Sequence, residues 1–322
     1  MADEERILIR PTDWLADVDE IPDGKEPRSR SRQYIIPYGP FEINEVNEAN
    51  YYPGNSVPYH EHLVGVETFL VDNGSMEVMS RSRKSIAYKG DIVHLAPYVP
   101  HSMRALEDNT IWRGFHQGSS LVVNMVAMRR FRETYPDLAT TQELRSTMPR
   151  NSQSVWFDYI TPECVEVPPS EYPEIRTQAA ALAEFNFDKL NLKLKVGKWE
   201  TCGAKEVWQF NMKSGCSFTF SPYSAFPYLF DIYDGKVELK LDGKDPIIAT
   251  TRDLLHIPKY LGGKLTALED TVLLDMGCQG SFLRYLDEVN WLKVNGPEKL
   301  KDTEALHQLM IKHSYFIQLS FS

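Results

Sequence analysis

Residues 54–74 read GNSVPYHEHLVGVETFLVDNG, and residues 215–235 read GCSFTFSPYSAFPYLFDIYDG. The two windows overlay without a gap, with glycine at both ends and an apolar, β-forming run before the closing turn. Downstream, Gly90-Asp91-Ile92-Val93-His94-Leu95 finds its partner in Arg252-Asp253-Leu254-Leu255-His256-Ile257. Chance could match two glycines; it matches the flanking pattern and the Asp-x-x-His step far less easily. The chain therefore reads as two copies of one β unit, and a repeat decides the architecture before any motif is considered.

Outward from both windows, short β-rich runs alternate with turn signals. The first series runs from FEINEV at Phe41 to LVVNMVAM, and the second from LNLKLKV at Leu190 to TVLLDM. Asp72-Asn73-Gly74-Ser75 is a hairpin signal, because Asn-Gly supplies the positive φ angles of a tight primed turn. Many short strands at this spacing argue for an antiparallel barrel or sandwich. Between the series the chain is rich in charge and proline, with helical stretches expected at VAMRRFRETY and PEIRTQAAALAEF. The end, with LKDTEALHQLMIKH as its clearest piece, also reads as helix. The expected division is an N-terminal arm (1–40), a strand domain (41–126), a connector with short helices (127–190), a second strand domain (191–284) and a helical tail (285–322).

Composition fits that picture. The 322 residues are 42% hydrophobic and 25% charged, which excludes a mainly disordered or collagen-like chain. Thirty-five basic against 45 acidic residues leave a net charge of −10. Such an anion has no general attraction for phosphate backbones or anionic lipid, so neither nucleic acid nor membrane is an expected partner. No run of about 18 apolar residues occurs, so no spanning helix is expected. MADEERILIRP starts acidic and lacks a long apolar stretch, so no secretory leader is expected and a cytoplasmic location is. Cys164, Cys202, Cys216 and Cys278 show no CxxC spacing; Cys202 and Cys216 could meet across two strands, but buried reduced thiols are the preferred reading.

The copies differ where chemistry would sit. His60, His62 and Glu67 fall opposite Ser221, Tyr223 and Tyr228, and His101 falls opposite Gly263. On a strand, residues i and i+2 share a face, so His60 and His62 present two imidazoles side by side. Glu67 follows a bend at Gly65, and His101 follows the turn Pro97-Tyr98-Val99-Pro100. Three imidazoles and a carboxylate suit a first-row divalent metal with positions left open for water or substrate. Five of the eight histidines lie in this one domain: His60, His62, His94, His101 and His116. His94 recurs as His256 in the copy without ligands and reads as a structural hydrogen-bonding residue. Arg113 and His116, in TIWRGFHQG, are candidates to anchor substrate or move a proton. Three residues apart, they face opposite sides of a regular strand unless a bulge at Gly114 turns both inward. Tyr51, Tyr52 and Tyr59 read as packing, and Arg81-Ser82-Arg83-Lys84 as a solvated loop.

The spacing Gly54, five residues, His60-x-His62, four residues, Glu67, six residues, Gly74, then Gly90 and His101, resembles the two signature motifs of the cupin superfamily. The first motif matches in full. The second keeps its Gly90-to-His101 spacing, with Ala96 where Pro is usual, Tyr98 in place of the inner Gly and Ala105 in place of the trailing Asn. The resemblance covers about residues 40–125 and, more weakly, 200–280, so the chain looks like a bicupin. It implies a mainly β fold of two cupin-type antiparallel β-barrels (jelly-rolls), with one metal in the first, held by His60, His62, Glu67 and His101, and none in the second.

The resemblance also implies a metal-dependent enzyme acting on a small molecule. The leading expectation is a dioxygenase of small organic, including aromatic, substrates, similar to quercetin dioxygenase. Fe(II) is the favoured ion, with Mn, Zn, Ni or Co as others. The alternative is a redox-neutral isomerase, epimerase or decarboxylase of a hydroxy acid, keto acid or sugar-like substrate, in which Glu67 or His116 moves a proton. Oxalate decarboxylase resembles this case but carries two intact metal motifs, and the degenerate second copy counts against that specific activity. A third reading is a non-catalytic metal- or ligand-binding module. Exposed edge strands need cover, which a homodimer through barrel edges would supply.

Overall fold

The computed structural model describes residues 6–20, 29–35, 45–54, 56–63, 65–117, 133–137, 154–156 and 163–319. The chain forms two units, Trp14–Ala180 and Met1–Asp13 with Ala181–Ser322.

In the unit Trp14–Ala180, one sheet has seven strands in the order Ile175–Arg176, Ile92–Leu95, Val66–Asn73, Thr110–Gln117, Glu45–Tyr51, Ser29–Ile35, Ala16–Glu20. The other has six, in the order Ser154–Trp156, Ser56–His62, His101–Ala105, Ser75–Ser80, Arg83–Tyr88, Val165–Glu166. Pairing is antiparallel except where Val165–Glu166 runs parallel to Arg83–Tyr88. Strand alternation turns Phe69, Val71, Val93, Leu95 and Trp112 of the first sheet toward Met76, Val78, Ala87 and Met103 of the second, and these form one buried core. Burying each such side chain contributes roughly 1.5–3 kcal/mol, which makes apolar packing the main support of the unit. The sheets pack face to face as a jelly-roll and do not close into one hydrogen-bonded cylinder among the described residues.

The other unit repeats this order with its own strands. Its seven-stranded sheet runs Leu8–Ile9, Leu254–Ile257, Tyr228–Asp234, Thr271–Cys278, Glu206–Met212, Leu190–Val196, Ala183–Asn186. Its second sheet runs Ile247–Thr250, Lys236–Leu241, Gly263–Ala267, Ser217–Phe220, Ile317–Leu319. The repeat extends to single hydrogen bonds. Gly54 N donates to Ala105 O at 2.9 Å, as Gly215 N does to Ala267 O at 2.8 Å. Asp91 Oδ2 accepts from Tyr88 N at 3.0 Å, and Asp253 Oδ2 from Thr250 N at 2.8 Å. Each aspartate closes the same turn three residues behind it, which is why the aspartate recurs.

Helices Phe282–Asn295 and Thr303–His313 make up the C-terminal helical part, the second capped by Asp302 Oδ1 accepting from Glu304 N at 2.9 Å. Among the described residues no helix is long and apolar enough to cross a membrane.

Several local expectations change. PEIRTQAAALAEF contains two strands instead of a helix, Ile175–Arg176 and Ala183–Asn186. Its alanines favour helix, but Leu190–Val196 offers Ala183–Asn186 a full antiparallel partner, and tertiary pairing outweighs propensity. VAMRRFRETY lies outside the described residues apart from its last three. Within the stretch expected as an arm, Leu8–Ile9 pairs with Leu254–Leu255, and Ala16–Glu20 and Ser29–Ile35 extend a sheet. All four cysteines are free; Cys216 and Cys278 are buried, whereas Cys202 is exposed. Tyr51 stacks on Trp112 with ring centroids 4.2 Å apart, but Tyr52 is exposed rather than packed.

Candidate metal centre

Two sheets supply the site. His60 and His62 end the strand Ser56–His62, and His101 opens the neighbouring strand His101–Ala105, with His101 in register opposite His60. Glu67 comes from the facing sheet, as the second residue of Val66–Asn73. Gly65, at φ +88°, takes the left-handed backbone that carries the chain from one sheet to the other in three residues.

The four side chains converge. One ligand atom from each of His60, His62, Glu67 and His101 lies within 4.8 Å of all the others. His60 Nε2 is 3.1 Å from His62 Nε2, His62 Nε2 is 3.0 Å from Glu67 Oε1, and His101 Nε2 is 3.3 Å from Glu67 Oε2. All four are buried, His101 completely. His101 Nδ1 lies 2.7 Å from Val99 O; a carbonyl only accepts, so Nδ1 carries the proton. In the neutral ring this leaves a bare lone pair on Nε2, aimed at the centre without a hydrogen-bond partner. That backbone contact is the usual means of fixing a metal-ligating imidazole.

Electrostatics agree with this assignment. Burial alone would raise the Glu67 pKa, but the charge of His62, the hydrogen bond from His62 and the charge of His116 hold it well below the usual carboxylate range. Burial works against charge on His62, yet Glu67 outweighs it and raises the His62 pKa. An ionised carboxylate buried among imidazoles, with Glu67 Oε2 and His101 Nε2 both lacking hydrogen-bond partners, fits a divalent cation by its donor chemistry.

The remaining candidates separate. His116 faces inward, with Nδ1 3.5 Å from Glu67 Oε1 and Nε2 3.2 Å from Asn47 Oδ1. Arg113 lies on the opposite face of the same strand, where it pairs with Asp72 at 3.4 Å. The bulge that would have turned both inward is absent at Gly114; the register shift lies between Ile111 and Trp112. His94 Nδ1 is 3.1 Å from Thr68 Oγ1, on the face of the strand away from Glu67. Arg81 and Ser82 form the exposed tip of a hairpin, both at positive φ. The sequence does not single out Asn47 and points to Gly114 only as a bulge site; the one available signal for Asn47 is Glu45-Val46-Asn47, where Glu45 and Asn47 share a strand face.

In the other unit the equivalent positions hold no ligand set. Tyr223 is exposed, with its ring 5.1 Å from that of His307, and Tyr228 packs 5.3 Å from Phe220. Among the described residues the cluster at His60, His62, Glu67 and His101 is the one group placed to hold a metal.

No family model and no curated protein matches the sequence. Solved structures do match in fold. Oxalate decarboxylase from Bacillus subtilis at pH 4.6 superposes with a TM-score of 0.51 at 15% identity, over 84% of this chain and 75% of that one. The formate complex of Lactobacillus farciminis oxalate decarboxylase gives a TM-score of 0.52 at 13% identity, over 84% and 85%. A Bacillus subtilis structure used to study the Mn(II) centres of that enzyme gives 0.50 at 15% identity, over 84% and 76%. The fold is that of the bicupin oxalate decarboxylases, with a His-His-Glu-His set of metal-binding type in one of its two units.

Proposed function

We propose that this chain is a metal-dependent enzyme of redox-neutral chemistry on a small hydroxy or keto acid, with decarboxylation first among the reactions and Mn(II) the first ion to test. The observation that carries the reading is the buried convergence of His60, His62, Glu67 and His101 within 4.8 Å. The three solved structures of similar fold named above are of oxalate decarboxylases, one of them studied for its Mn(II) centres, which favours decarboxylation over the dioxygenase expectation. Among the described residues the set occurs in one unit only, so the proposal names a substrate class rather than oxalate itself.

A divalent ion bound there would supply a Lewis acid that holds a substrate carboxylate and stabilises charge developing beside it. His60, His62 and His101 would hold it through Nε2. Glu67, kept ionised by its neighbours, either completes the set or accepts a proton at Oε1 or Oε2. The burial of all four residues limits water at the centre and so strengthens each charge interaction there. Arg113 is engaged with Asp72 on the far face of its strand and takes no part in this account.

The test is reconstitution with Mn(II) or Fe(II), then parallel measurement of CO2 release and O2 consumption on oxalate and a panel of 2-hydroxy and 2-keto acids, beside His60→Ala. CO2 release without matching O2 consumption, lost in His60→Ala, is the expected result. Stoichiometric O2 consumption would return the dioxygenase reading to first place. Bound metal with neither activity would leave a binding module.

A further inference from the structure

His116 is fully buried on the strand Thr110–Gln117, in register opposite Glu67 on one side and Glu45 on the other. Its ring spans two polar groups. Nδ1 stands 3.5 Å from Glu67 Oε1, while Nε2–H donates to Asn47 Oδ1 at 3.2 Å. Asn47 is likewise fully buried in mid-strand, and its Nδ2 has no partner among the described residues. Burying an amide with one half unsatisfied is costly, so the contact that remains is the one that explains the residue. Between the two sits Gly114. A Cβ there would lie 2.1 Å from Asn47 Oδ1 and 2.5 Å from His116 Nε2, so only glycine leaves room for this contact. Gly114 has no positive φ, so its need is for space and not for backbone freedom.

We propose that Asn47, Gly114 and His116 form a clamp that fixes the orientation of the Glu67 carboxylate at the metal centre. Asn47 sets the plane of the imidazole, Gly114 admits the pair, and the His116 ring, with Nδ1 3.5 Å from Oε1, limits how the carboxylate can turn. His116 and Asn47 are positioning residues, acting on the ion only through Glu67. The proposal rests on the metal reading above and adds to it which residues decide how the carboxylate is presented. Outer groups of this kind typically change metal affinity by about 10–100-fold.

The experiment measures Mn(II) affinity and the Mn(II) EPR fine structure of the wild-type full chain, Gly114→Ala, Asn47→Leu and, as a control, Thr110→Val. Thr110 lies on the same strand but bonds Glu107 O at 2.9 Å, away from the centre. Thermal unfolding is followed in parallel. The clamp predicts that Gly114→Ala and Asn47→Leu still take up Mn(II), with affinity about 10–100-fold weaker and altered fine structure. Thr110→Val should lose stability with an unchanged spectrum. Should Gly114→Ala fail to fold, Asn47→Ala removes the acceptor without adding bulk and carries the same test. Wild-type affinity and spectrum in the clamp variants would overturn the proposal while leaving the metal site standing. Absence of Mn(II) uptake by the wild type, with His60→Ala no different, would overturn the metal reading and the clamp together.

Discussion

His62 Nε2 and Glu67 Oε1 are 3.0 Å apart and buried, so two atoms that would meet a cation also meet each other. Burial disfavours charge on His62, but Glu67 overrides it and raises the pKa above the usual 6.5. A raised pKa means the folded state binds this proton more tightly than the unfolded chain. The resulting stability is complete below about 6.5 and fades as pH rises through the folded value. A metal must displace that proton. Mn(II) binding should therefore release a proton, and apparent affinity should fall about tenfold for each pH unit below the raised pKa. Calorimetry in buffers of different ionisation heat checks both. Affinity independent of pH between about 6 and 8 would contradict the pairing.

The four candidate ligands lie outside the apolar core of their unit, which is built from residues such as Phe69, Val78, Val93 and Trp112. His62→Ala should abolish most metal uptake yet leave the unit folded. Glu67 would lose its nearest imidazole and keep His101 at 3.3 Å and His116 at 3.5 Å. A loss on the order of 1–3 kcal/mol is expected in the metal-free protein, less than for stranding a charge with no partner at all. Circular dichroism and thermal unfolding decide the matter; an unfolded variant at room temperature would show that the centre, not the core, holds the unit together.

The repeat and the pairing of His60 with His62 on one face could be read from the sequence because both rest on short-range rules. Strand alternation puts His60 and His62 on one face whatever the rest of the chain does, and Asp91 marks a turn fixed by its local hydrogen bonds with Tyr88. The edges were hidden because their partners are remote. Leu8 pairs with Leu255, and Ile317 with Phe220, and nothing in two or three residues announces so distant a neighbour. Asn47 was hidden for a similar reason, since its meaning depends on a histidine 69 residues later. The pairing of Arg113 with Asp72 is equally illegible in the sequence, since 41 residues separate the two.

Tyr98 stands where the resembling motif has glycine, and the turn survives the change. Its φ is +60°, its side chain is exposed, and its N–H donates to His62 O at 2.8 Å. Tyr260 repeats the arrangement in the other unit, at φ +64° with its N–H on Ser224 O at 2.9 Å. A side chain in left-handed backbone costs roughly 1–2 kcal/mol, partly offset on replacement by the greater freedom of glycine in the unfolded chain. Tyr98→Gly and Tyr260→Gly should each raise stability by about 0.5 kcal/mol, read by denaturant unfolding. Destabilisation by either would mean that the exposed ring makes a contact that outweighs its strain.

Asp275 and Lys205 are both completely buried in the unit that lacks the ligand set. Burial, aided by the charge of Glu206, pushes the Asp275 pKa up from 3.8 to about 7, against the pull of Gly277 N–H and Lys205. Between about 4 and 7 the folded state keeps a proton that the unfolded chain has lost, so stability falls as pH rises through that window. Asp275→Asn can retain the hydrogen bond that Oδ1 accepts from Gly277 N at 3.1 Å while removing the titration. The variant should lose at least about 1 kcal/mol of the wild-type decline across that range. Urea unfolding at successive pH values measures the slope; an unchanged slope would assign it to another group.

Four turn glycines offer a graded test of the repeat. Gly74, at φ +74°, has room for no Cβ, which would fall 2.8 Å from Thr110 Oγ1. Gly235, at φ +98°, is blocked by the equivalent Thr271 Oγ1 and by Asp270 O, each at 2.6 Å. Gly54 and Gly215 share φ +78°, but a Cβ on Gly54 would meet nothing within 4 Å and one on Gly215 only Lys189 Nζ at 3.8 Å. Alanine at Gly54 or Gly215 should therefore cost only the backbone strain, about 1 kcal/mol. Alanine at Gly74 or Gly235 adds a steric clash and should cost about 2–3 kcal/mol. Denaturant unfolding of the four variants should give two matched pairs, each with one member per unit. A ranking that grouped them by unit instead would mean that the hairpins do not share one geometry.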